Sequence, residues 1–266
     1  MSNAKSIALI TGASTGIGAI YADRLATRGH DLVLVARDAA RMEALAERLR
    51  DQTGVSIEII PADLTTDADV AKIEARLARG DVGILINNAG MSLNGSVLEN
   101  GPVEIARIIA LNVTAPTRLA AAAAKAFVAK GEGAVVNIAS VLALAPEMFD
   151  GIYSGTKAFV LNLSQAMAAQ LADKGVYTQA VLPGATRTEI WERSGKDVDA
   201  FPEGFVMDAG DLVDAALVGF DRRETVTIPP LPDEGQFTAM QQARAAMGPN
   251  LSKSAVAERY REAVAA

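Results

Sequence analysis

A tyrosine and a lysine four residues apart, Tyr153 and Lys157, are the first candidates for chemistry in this chain. On a helix, side chains at that spacing project from one face, so the ammonium would lie near the phenol. A free phenol has a pKa of about 10, and a neighbouring positive charge lowers that pKa toward neutrality. Ser140, one loop upstream, could donate a hydrogen bond to the same substrate oxygen. These three residues could make Tyr153 a general acid or base. Taken alone, the spacing favours an ordinary amphipathic helix that carries a Tyr and a Lys, and the rest of the chain reverses that preference.

A glycine-rich segment, Thr11–Gly18, with the sequence TGASTGIG, is the second candidate. It follows an apolar run and precedes a helical pattern, which is the context in which glycines bind a dinucleotide. Gly12 allows a tight turn, Gly16 lets the backbone approach a pyrophosphate, and Gly18 allows the helix to pack closely on the strand. The phosphates would lie at the helix N-terminus, where unpaired N–H groups favour negative charge. A simple strand-to-helix turn is the alternative interpretation.

Seven apolar runs, which alternate with helical patterns, predict the elements that position these residues. The runs are Ile7–Ile10, Leu32–Val35, Ile57–Ile60, Val82–Ile86, Ala134–Ile138, Val176–Leu182 and Thr225–Ile228. Near-continuous apolar strands are typical of a parallel sheet that is covered on both faces. We therefore predict an α/β fold, a Rossmann-like doubly wound sheet of seven parallel strands with helices on both faces. Ligands of such sheets bind beyond the carboxyl ends of the strands, where the candidate residues lie.

The motifs together resemble the short-chain dehydrogenase/reductase family, and the resemblance covers most of the chain. Three loop motifs of that family, TGxxxGIG, NNAG and PGxxxT, are matched at Thr11–Gly18, Asn87–Gly90 and Pro183–Thr188. The family's helix asparagine and its catalytic Ser, Tyr and Lys are matched at Asn112, Ser140, Tyr153 and Lys157. The resemblance implies an oxidoreductase that interconverts a carbonyl and an alcohol by hydride transfer, with no metal required.

The resemblance also implies a role for each matched residue. Tyr153 would donate the proton, Lys157 would lower its pKa and bind the nicotinamide ribose, and Asn112 would hold a water of a proton relay. Asn112 interrupts the predicted helical stretch 102–130, where asparagine is a poor mid-helix residue. Asn87 would be structural. The implied cofactor-binding residues are Gly12, Ser14, Thr15, Gly16, Ile17, Gly18, Arg37, Asp63, Leu64, Asn88, Ala89, Gly90, Tyr153, Lys157, Pro183, Gly184 and Thr188. Ser140 and Trp191 would bind the substrate. For Asp63, a contact to adenine competes with a helix cap before Thr66.

The end of the second strand indicates which dinucleotide is preferred. The position at which NAD-binding members carry an aspartate is Ala36 in this chain. Arg37 follows it and could pair with a 2′-phosphate through its planar guanidinium, and Ser14 could add a hydroxyl contact. We therefore expect NADP(H) to be preferred over NAD(H), although Asp38 places a negative charge nearby.

Two segments outside the core motifs are specific to this chain. Residues 189–208 contain the only tryptophan, Trp191, together with Phe201 and Phe205, and are predicted to form a substrate-binding loop. The alternative is that these aromatic residues only anchor the loop to the body. Residues 233–266 are predicted as a helical extension, two helices broken at 248–250, that either caps the active site or forms a subunit contact.

The apolar residues before Tyr153 and in the loop predict a hydrophobic ketone or aldehyde as substrate. No Arg or Lys lies in 141–152 to anchor a charged substrate. Arg187 and Arg193, further along the chain, could supply such an anchor, so an acidic substrate is the alternative.

Composition sets the remaining limits. A chain of 266 residues fits a single domain over 1–266, and it contains no cysteine for disulfides or thiolate metal sites. A net charge of −7 argues against a nucleic-acid partner, because a phosphate footprint needs a basic face. No apolar run is long enough to span a membrane, and the first strand begins too early for a signal peptide. We therefore expect a cytoplasmic protein. A homodimer or homotetramer is a separate expectation, which does not follow from the composition.

Two other classes of protein are weighed against catalysis. A non-catalytic regulator of the same fold could sense dinucleotides without turnover, but such proteins typically lose the tyrosine or the lysine, and both are present here. An epimerase or dehydratase of the extended relatives would carry a GxxGxxG loop and a longer substrate domain. The sequence therefore favours the oxidoreductase.

Overall fold

The seven apolar runs form the seven strands of one sheet in the computed structural model, which describes residues 6–95 and 97–261. The strands are β1 Ile7–Thr11, β2 Leu32–Ala36, β3 Ile57–Pro61, β4 Val82–Asn87, β5 Gly133–Ile138, β6 Val176–Val181 and β7 Val226–Thr227. Each strand end lies within one residue of its predicted position. The sequence locates the strands well because most of the residues in these runs are apolar and buried; the edge strand β3, which exposes Glu58, is the exception.

The strand order is β3-β2-β1-β4-β5-β6-β7, and all neighbouring strands are parallel. The chain builds outward from β1 through β2 to β3, then returns to the other side of β1 to begin β4. The order therefore reverses between β1 and β4, and a crevice for ligands opens at such a reversal, beyond the carboxyl ends of the strands. The predicted doubly wound sheet is confirmed.

Nine α-helices lie in the described residues. They are α1 Gly16–Thr27, α2 Ala39–Thr53, α3 Asp67–Leu77, α4 Pro102–Ile109, α5 Ala115–Lys130, α6 Gly151–Leu171, α7 Ile190–Arg193, α8 Ala209–Asp221 and α9 Glu234–Met247. Helices α1, α2 and α8 pack on one face of the sheet, and α3, α5 and α6 contribute to the core on the other face. Within the described part of the chain, no helix is both long and apolar enough to cross a bilayer.

The long helical stretch from Pro102 to Lys130 is interrupted at Asn112, as the sequence suggested. Between α4 and α5, residues Ala110–Thr114 form a π-helical turn, and Asn112 lies at its centre with its side chain buried. A π-helical turn shifts the backbone hydrogen bonds out of the regular pattern, and such turns are frequent at functional sites.

The chain divides into two compact units, Met1–Pro230 and Leu231–Ala266. In the second unit, α9 is followed by a 3₁₀ turn at Gly248–Asn250, where the break was predicted. The predicted second helix is wrong for the residues described: as far as residue 261 only a 3₁₀ turn at Glu258–Tyr260 forms. Every residue from 251 to 261 is exposed, so no packing stabilises a short helix there. Residues 262–266 of the predicted extension lie outside the described residues, and the single domain over 1–266 stays a prediction.

Candidate active site

A cavity of about 920 Å³ lies beyond the carboxyl ends of the strands, where the loops that follow β1 to β6 converge. The predicted site residues that line it are Gly12, Ser14, Thr15, Gly16, Ile17, Arg37, Asp63, Leu64, Asn88, Ala89, Gly90, Ser140, Tyr153, Lys157, Pro183, Gly184, Thr188 and Trp191. Only two predicted residues, Gly18 and Asn112, do not line it. The motifs are far apart in the sequence, and the sheet brings them together.

The glycine-rich loop has the backbone geometry that requires glycine. Gly12 and Gly16 have φ values of +67° and +54°, in the left-handed region that other residues rarely adopt. Gly18 is buried under the loop, and a Cβ placed on it would collide with the carbonyl of Gly12 and the side-chain amide of Asn88. Gly18 therefore acts through packing, which lets α1 begin directly beneath the loop.

The Asn87–Gly90 segment is tied to the glycine loop by hydrogen bonds. The backbone N–H groups of Asn88 and Ala89 both donate to Thr11 Oγ1, each over 3.0 Å. The amide of Asn88 donates to the Thr11 carbonyl over 2.9 Å. Asn87 is buried and donates to Asn137 Oδ1 over 2.9 Å, so its role is structural, as expected. These bonds fix the two loops that flank the reversal of strand order.

Ser140, Tyr153 and Lys157 converge on one wall of the cavity. Ser140 follows β5, and Tyr153 and Lys157 lie one turn apart on α6. The Ser140 Oγ lies beside Tyr153, whose pKa it affects, and accepts a hydrogen bond from the Leu142 N–H over 3.2 Å. The Lys157 ammonium donates to the Ile138 carbonyl over 2.8 Å. The Lys157 Nζ lies 5.6 Å from the centroid of the Tyr153 ring. The structure therefore brings the predicted trio together on one wall of the cavity, and the catalytic role of these residues stays a prediction.

Burial controls the ionisation of these groups. It raises the pKa of Tyr153 to about 12, against the opposing effect of the hydrogen bond from Ser140. It also lowers the pKa of Lys157 to about 8. The expected lowering of the tyrosine pKa by Lys157 is not seen in this structure, because desolvation dominates and the ammonium is directed at the Ile138 carbonyl. Tyr153 is thus protonated at neutral pH and can donate a proton. The pKa of Lys157 lies only about one unit above neutral pH.

The orientation of Tyr153 depends on a residue that the motifs do not include. Asp150 is buried and caps α6: its carboxylate accepts hydrogen bonds from the backbone N–H of Ile152 over 2.9 Å and of Tyr153 over 3.3 Å. The cap fixes the first turn of the helix that carries the tyrosine. An aspartate directly before a helical pattern is a recognisable start signal, so the sequence could have identified this residue.

Asn112 is buried behind the cavity wall. Its side chain donates to the Met91 carbonyl over 2.8 Å and to Thr156 Oγ1 over 3.2 Å, and it accepts from the Met91 N–H over 2.9 Å. Gly90 separates it from the lysine: a Cβ on Gly90 would lie 3.4 Å from Asn112 Oδ1 and 3.6 Å from Lys157 Nζ. Asn112 therefore shapes the wall beside the lysine, and the water relay stays a prediction.

Four ionisable residues line the end of the cavity beyond β2 and β3: Arg37, Asp38, Asp63 and Arg107. Burial raises the pKa of Asp63, but the hydrogen bonds from Thr65 and the charges of Arg37 and Arg107 outweigh it and hold that pKa below its usual value. Thr66 rather than Asp63 caps α3. Arg107 lies within α4 and belongs to no motif, so nothing in the sequence marks it as a cavity residue.

The predicted substrate loop forms a lid, residues 189–208, along one side of the cavity. Trp191 lines the cavity and also anchors the lid, because its indole N–H donates to the Thr186 carbonyl over 2.7 Å. Its ring makes edge contacts with Phe149 at 6.3 Å and Phe201 at 5.0 Å between centroids. Trp191 therefore fits both interpretations of these aromatic residues: it lines the cavity, and it anchors the loop to the body of the protein.

The cavity wall near Tyr153 is apolar. Its large side chains are Leu142, Met148, Phe149, Trp191, Phe201 and Phe205. Both arginines that could have anchored an acidic substrate are already paired, Arg187 with Asp199 over 2.8 Å and Arg193 with Glu189 over 2.6 Å. The chemistry of this end fits an apolar substrate whose polar atom meets Ser140 and Tyr153.

The remainder of the cavity fits a dinucleotide. The glycine loop and the N-terminus of α1 present backbone N–H groups where a pyrophosphate would bind. Among the described ion pairs none involves Arg37, so its guanidinium is available to a further anion. Asp38, the source of the opposing charge, caps α2 and lies 3.4 Å from the Arg41 guanidinium.

Comparisons with known proteins agree with this geometry. A family model described as short chain dehydrogenase matches residues 6–199. A solved short-chain dehydrogenase from Sphingobium yanoikuyae in complex with NADPH is 56% identical, covers 96% of this chain and 100% of its own, and superposes with a TM-score of 0.94. A bulky-bulky ketone specific alcohol dehydrogenase from Comamonas testosteroni is 51% identical, with coverages of 96% and 98% and a TM-score of 0.89.

Curated relatives are more distant and longer. The human 17-beta-hydroxysteroid dehydrogenase type 3 is 38% identical over 69% of this chain, and the Bos taurus very-long-chain 3-oxoacyl-CoA reductase is 33% identical over 76%. The matched regions span 60% and 66% of the length of these two relatives.

Proposed function

The chain belongs to the short-chain dehydrogenase family, and on that premise we propose that it is an NADP(H)-dependent oxidoreductase that interconverts a bulky apolar ketone or aldehyde with the matching alcohol. One observation carries the proposal: Ser140, Tyr153 and Lys157 line a single cavity together with the glycine loop and an apolar wall. The two solved relatives, one bound to NADPH and one specific for bulky ketones, support the same assignment.

The residues of the site have defined tasks in this reaction. Ser140 and Tyr153 bind the carbonyl oxygen, and Tyr153, protonated at neutral pH, donates the proton that completes the alcohol. Bound NADPH supplies the hydride. Lys157, with a pKa of about 8, has its Nζ 5.6 Å from the centroid of the Tyr153 ring and can return a proton to the phenolate that remains. The retention of this trio is why turnover is favoured over a role in dinucleotide sensing.

The proposal is tested by following NADPH oxidation with a panel of carbonyl compounds. The panel contains aryl ketones with two large substituents, medium-chain aldehydes, 3-oxoacyl thioesters and charged ketoacids, with NADP reduction by alcohols run in parallel. We expect turnover with the bulky ketones. Binding of NADPH without turnover on any member of the panel would support the regulatory alternative instead.

Substrate size is expected to depend on Trp191. Replacing it with alanine opens the lid side of the apolar wall, so kcat/KM for bulky aromatic ketones should fall by about tenfold, the effect of roughly 1.4 kcal/mol of lost contact. Small aliphatic ketones, which cannot reach the lid, should be little affected. Steady-state kinetics on matched pairs of ketones measures the difference.

The matched control for that variant is Phe159→Ala, which removes an aromatic ring from α6 at a position that is 43% exposed and does not line the cavity. It should leave the substrate profile unchanged. An unchanged profile in Trp191→Ala, or a clear preference of the wild-type protein for charged ketoacids, would contradict the proposed apolar substrate.

Cofactor preference is expected to depend on Arg37. Alanine at this position removes a charge-assisted contact to the 2′-phosphate, so NADPH binding should weaken by about 1.5–3 kcal/mol while NADH binding barely changes. Calorimetric titration of both cofactors into both proteins measures the two affinities.

Arg48→Ala is the matched control, because Arg48 lies on α2 as an exposed arginine that pairs with Asp23 over 2.9 Å away from the cavity. It should leave both affinities unchanged. An equal loss for NADPH and NADH in Arg37→Ala would mean that this residue does not recognise the 2′-phosphate.

A cytoplasmic location and a homodimeric or homotetrameric assembly remain predictions from the sequence. Light scattering coupled to size-exclusion chromatography measures the assembly directly, and cell fractionation measures the location.

A further inference from the structure

We propose that Glu189 slows the release of the cofactor. Glu189, Arg41 and Arg193 form a network of ion pairs, called the strap below, that joins the base of the lid to α2 across the dinucleotide groove. The inference rests on the dinucleotide binding in the proposed function. It assigns a positioning role to residues outside every motif of the sequence.

The strap is built on one carboxylate that receives three guanidinium contacts. Arg41 Nη1 donates to both carboxylate oxygens of Glu189, over 2.8 Å and 2.7 Å. Arg193 Nη2 donates to the second oxygen over 2.6 Å. These contacts hold the pKa of Glu189 below its usual value, with the hydrogen bond from Arg41 as the main cause. The carboxylate is therefore charged at neutral pH.

The strap joins three elements that surround the groove. Arg41 lies in the first turn of α2. Glu189 directly precedes α7 and Arg193 is its last residue, both at the base of the lid. Glu189 is 148 residues from Arg41 in the sequence. Arg193 Nη2 also lies 3.4 Å from Thr15 Oγ1 in the glycine loop. Glu189, Arg193 and Thr15 all line the cavity.

The base of the lid also lies directly against the glycine loop. A Cβ on Gly16 would be 3.2 Å from the side chain of Thr188, the residue before Glu189. A dinucleotide held by the glycine loop would therefore have the strap across its exit, and release would require the lid base to separate from α2. This geometry connects the ion pairs to the rate of release.

The strap is strong enough to slow release and weak enough to open. The side chains of Arg41, Glu189 and Arg193 are 50%, 39% and 52% exposed, so water and salt screen each pair. Exposed pairs are individually weak, and a network of three charges is worth more than one pair. We expect its loss to accelerate release by about 3- to 10-fold.

The first experiment measures NADPH release by stopped flow. The protein is loaded with NADPH and mixed with excess NADP⁺, and energy transfer from Trp191, the only tryptophan, reports the loss of NADPH. Glu189→Gln and Arg41→Gln should each release NADPH about 3- to 10-fold faster than wild type, and the double variant should be no faster than either single variant. NADH release should be accelerated by the same factor.

Salt provides a second arm on the same proteins. Raising the ionic strength to about 0.5 M should accelerate release from the wild-type protein by a larger factor than from Glu189→Gln. Salt weakens the contacts to the phosphates in both proteins, but the strap is already absent from the variant. Asp221→Asn is the matched control: it breaks an exposed pair with Arg28, bonded over 2.8 Å and 2.9 Å, that joins α1 to α8 away from the cavity. Its release rate should equal that of wild type.

A third arm needs no cofactor. If the strap holds the lid in the free protein, Arg41→Gln should increase quenching of Trp191 fluorescence by acrylamide, although Arg41 is on a different element. Asp221→Asn should not. Unchanged quenching in Arg41→Gln would overturn the strap whether or not the protein binds a dinucleotide.

Other results would also overturn the strap. In one alternative, Glu189 competes with the 2′-phosphate for Arg41; Glu189→Gln would then bind NADPH more tightly and release it more slowly, with no change for NADH. A protein that binds NADPH and releases it from Glu189→Gln at the wild-type rate contradicts the strap alone. A protein that shows no energy transfer to NADPH at all contradicts the proposed function, and the quenching arm still decides the strap.

Discussion

Replacing Tyr153 with phenylalanine is expected to lower kcat by about 10²–10⁴-fold, the usual contribution of a positioned general acid, while leaving NADPH affinity nearly unchanged. The substitution removes only the phenolic hydroxyl, which lies in the cavity with Ser140. The ring, which makes an edge contact with Phe149 at 6.3 Å, stays in place. Single-turnover kinetics with saturating NADPH measures the chemical step, and calorimetry measures the affinity.

Tyr177→Phe is the matched control for this prediction. Tyr177 lies on β6, outside the cavity, and its hydroxyl donates to the Glu224 carbonyl over 2.6 Å. Its loss should leave kcat unchanged. A Tyr153→Phe protein that kept more than about a tenth of the wild-type rate would show that Tyr153 is not the proton donor.

Replacing Lys157 with methionine is expected to abolish most of the activity and at the same time to stabilise the free protein at pH 7. Lys157 is 6% exposed, and burial lowers the pKa of its ammonium from 10.5 to about 8. At about 1.4 kcal/mol per pKa unit, the buried charge costs a few kcal/mol of folding free energy at neutral pH. Methionine fills a similar volume without the charge.

The gain in stability should depend on pH in a defined direction. Below pH 8 the lysine is charged in both the folded and the unfolded chain, so the cost of burial is fully present. Between pH 8 and 10.5 the unfolded chain binds more protons than the folded one, so the stability of the wild-type protein rises with pH. Denaturant unfolding at pH 7 and at pH 10 should therefore show a smaller difference between variant and wild type at pH 10.

Lys72→Met is the control for that dependence. Lys72 also donates to a carbonyl at a strand end, that of Pro61 over 3.0 Å, but it is exposed. Its replacement should give the same small change at both pH values. If Lys157→Met were less stable than wild type at pH 7, the hydrogen bond to Ile138 would outweigh the cost of burying the charge.

The sequence predicts the sheet and the centre of the site because both depend on local patterns. The strands are continuous apolar runs, and the motif residues follow the strand ends, so a parallel sheet has to bring them together. Asn112 was visible as an interruption of a helical stretch, although not as a π-helical turn.

The features that the sequence did not predict depend on how deeply a side chain is buried and on contacts between residues far apart in the sequence. The pKa of Tyr153 follows from how far it is buried, and the sequence spacing to Lys157 does not report that depth. The pairing of Arg41 with Glu189 joins residues 148 positions apart, and neither belongs to a motif. The absence of a second helix over 251–261 reflects missing packing partners rather than poor local propensity.

The two outermost strands of the sheet bear on how the protein behaves at high concentration. At one edge β7 is only Val226–Thr227, and at the other β3 ends in Pro61, which has no N–H to donate. Glu58, also on β3, is 41% exposed and carries charge at that edge. Short strands, proline and charge at sheet edges all discourage the strand-to-strand pairing that begins aggregation. Lengthening β7 or replacing Pro61 by valine would therefore lower the concentration at which the protein aggregates, even where its activity in dilute solution is unchanged.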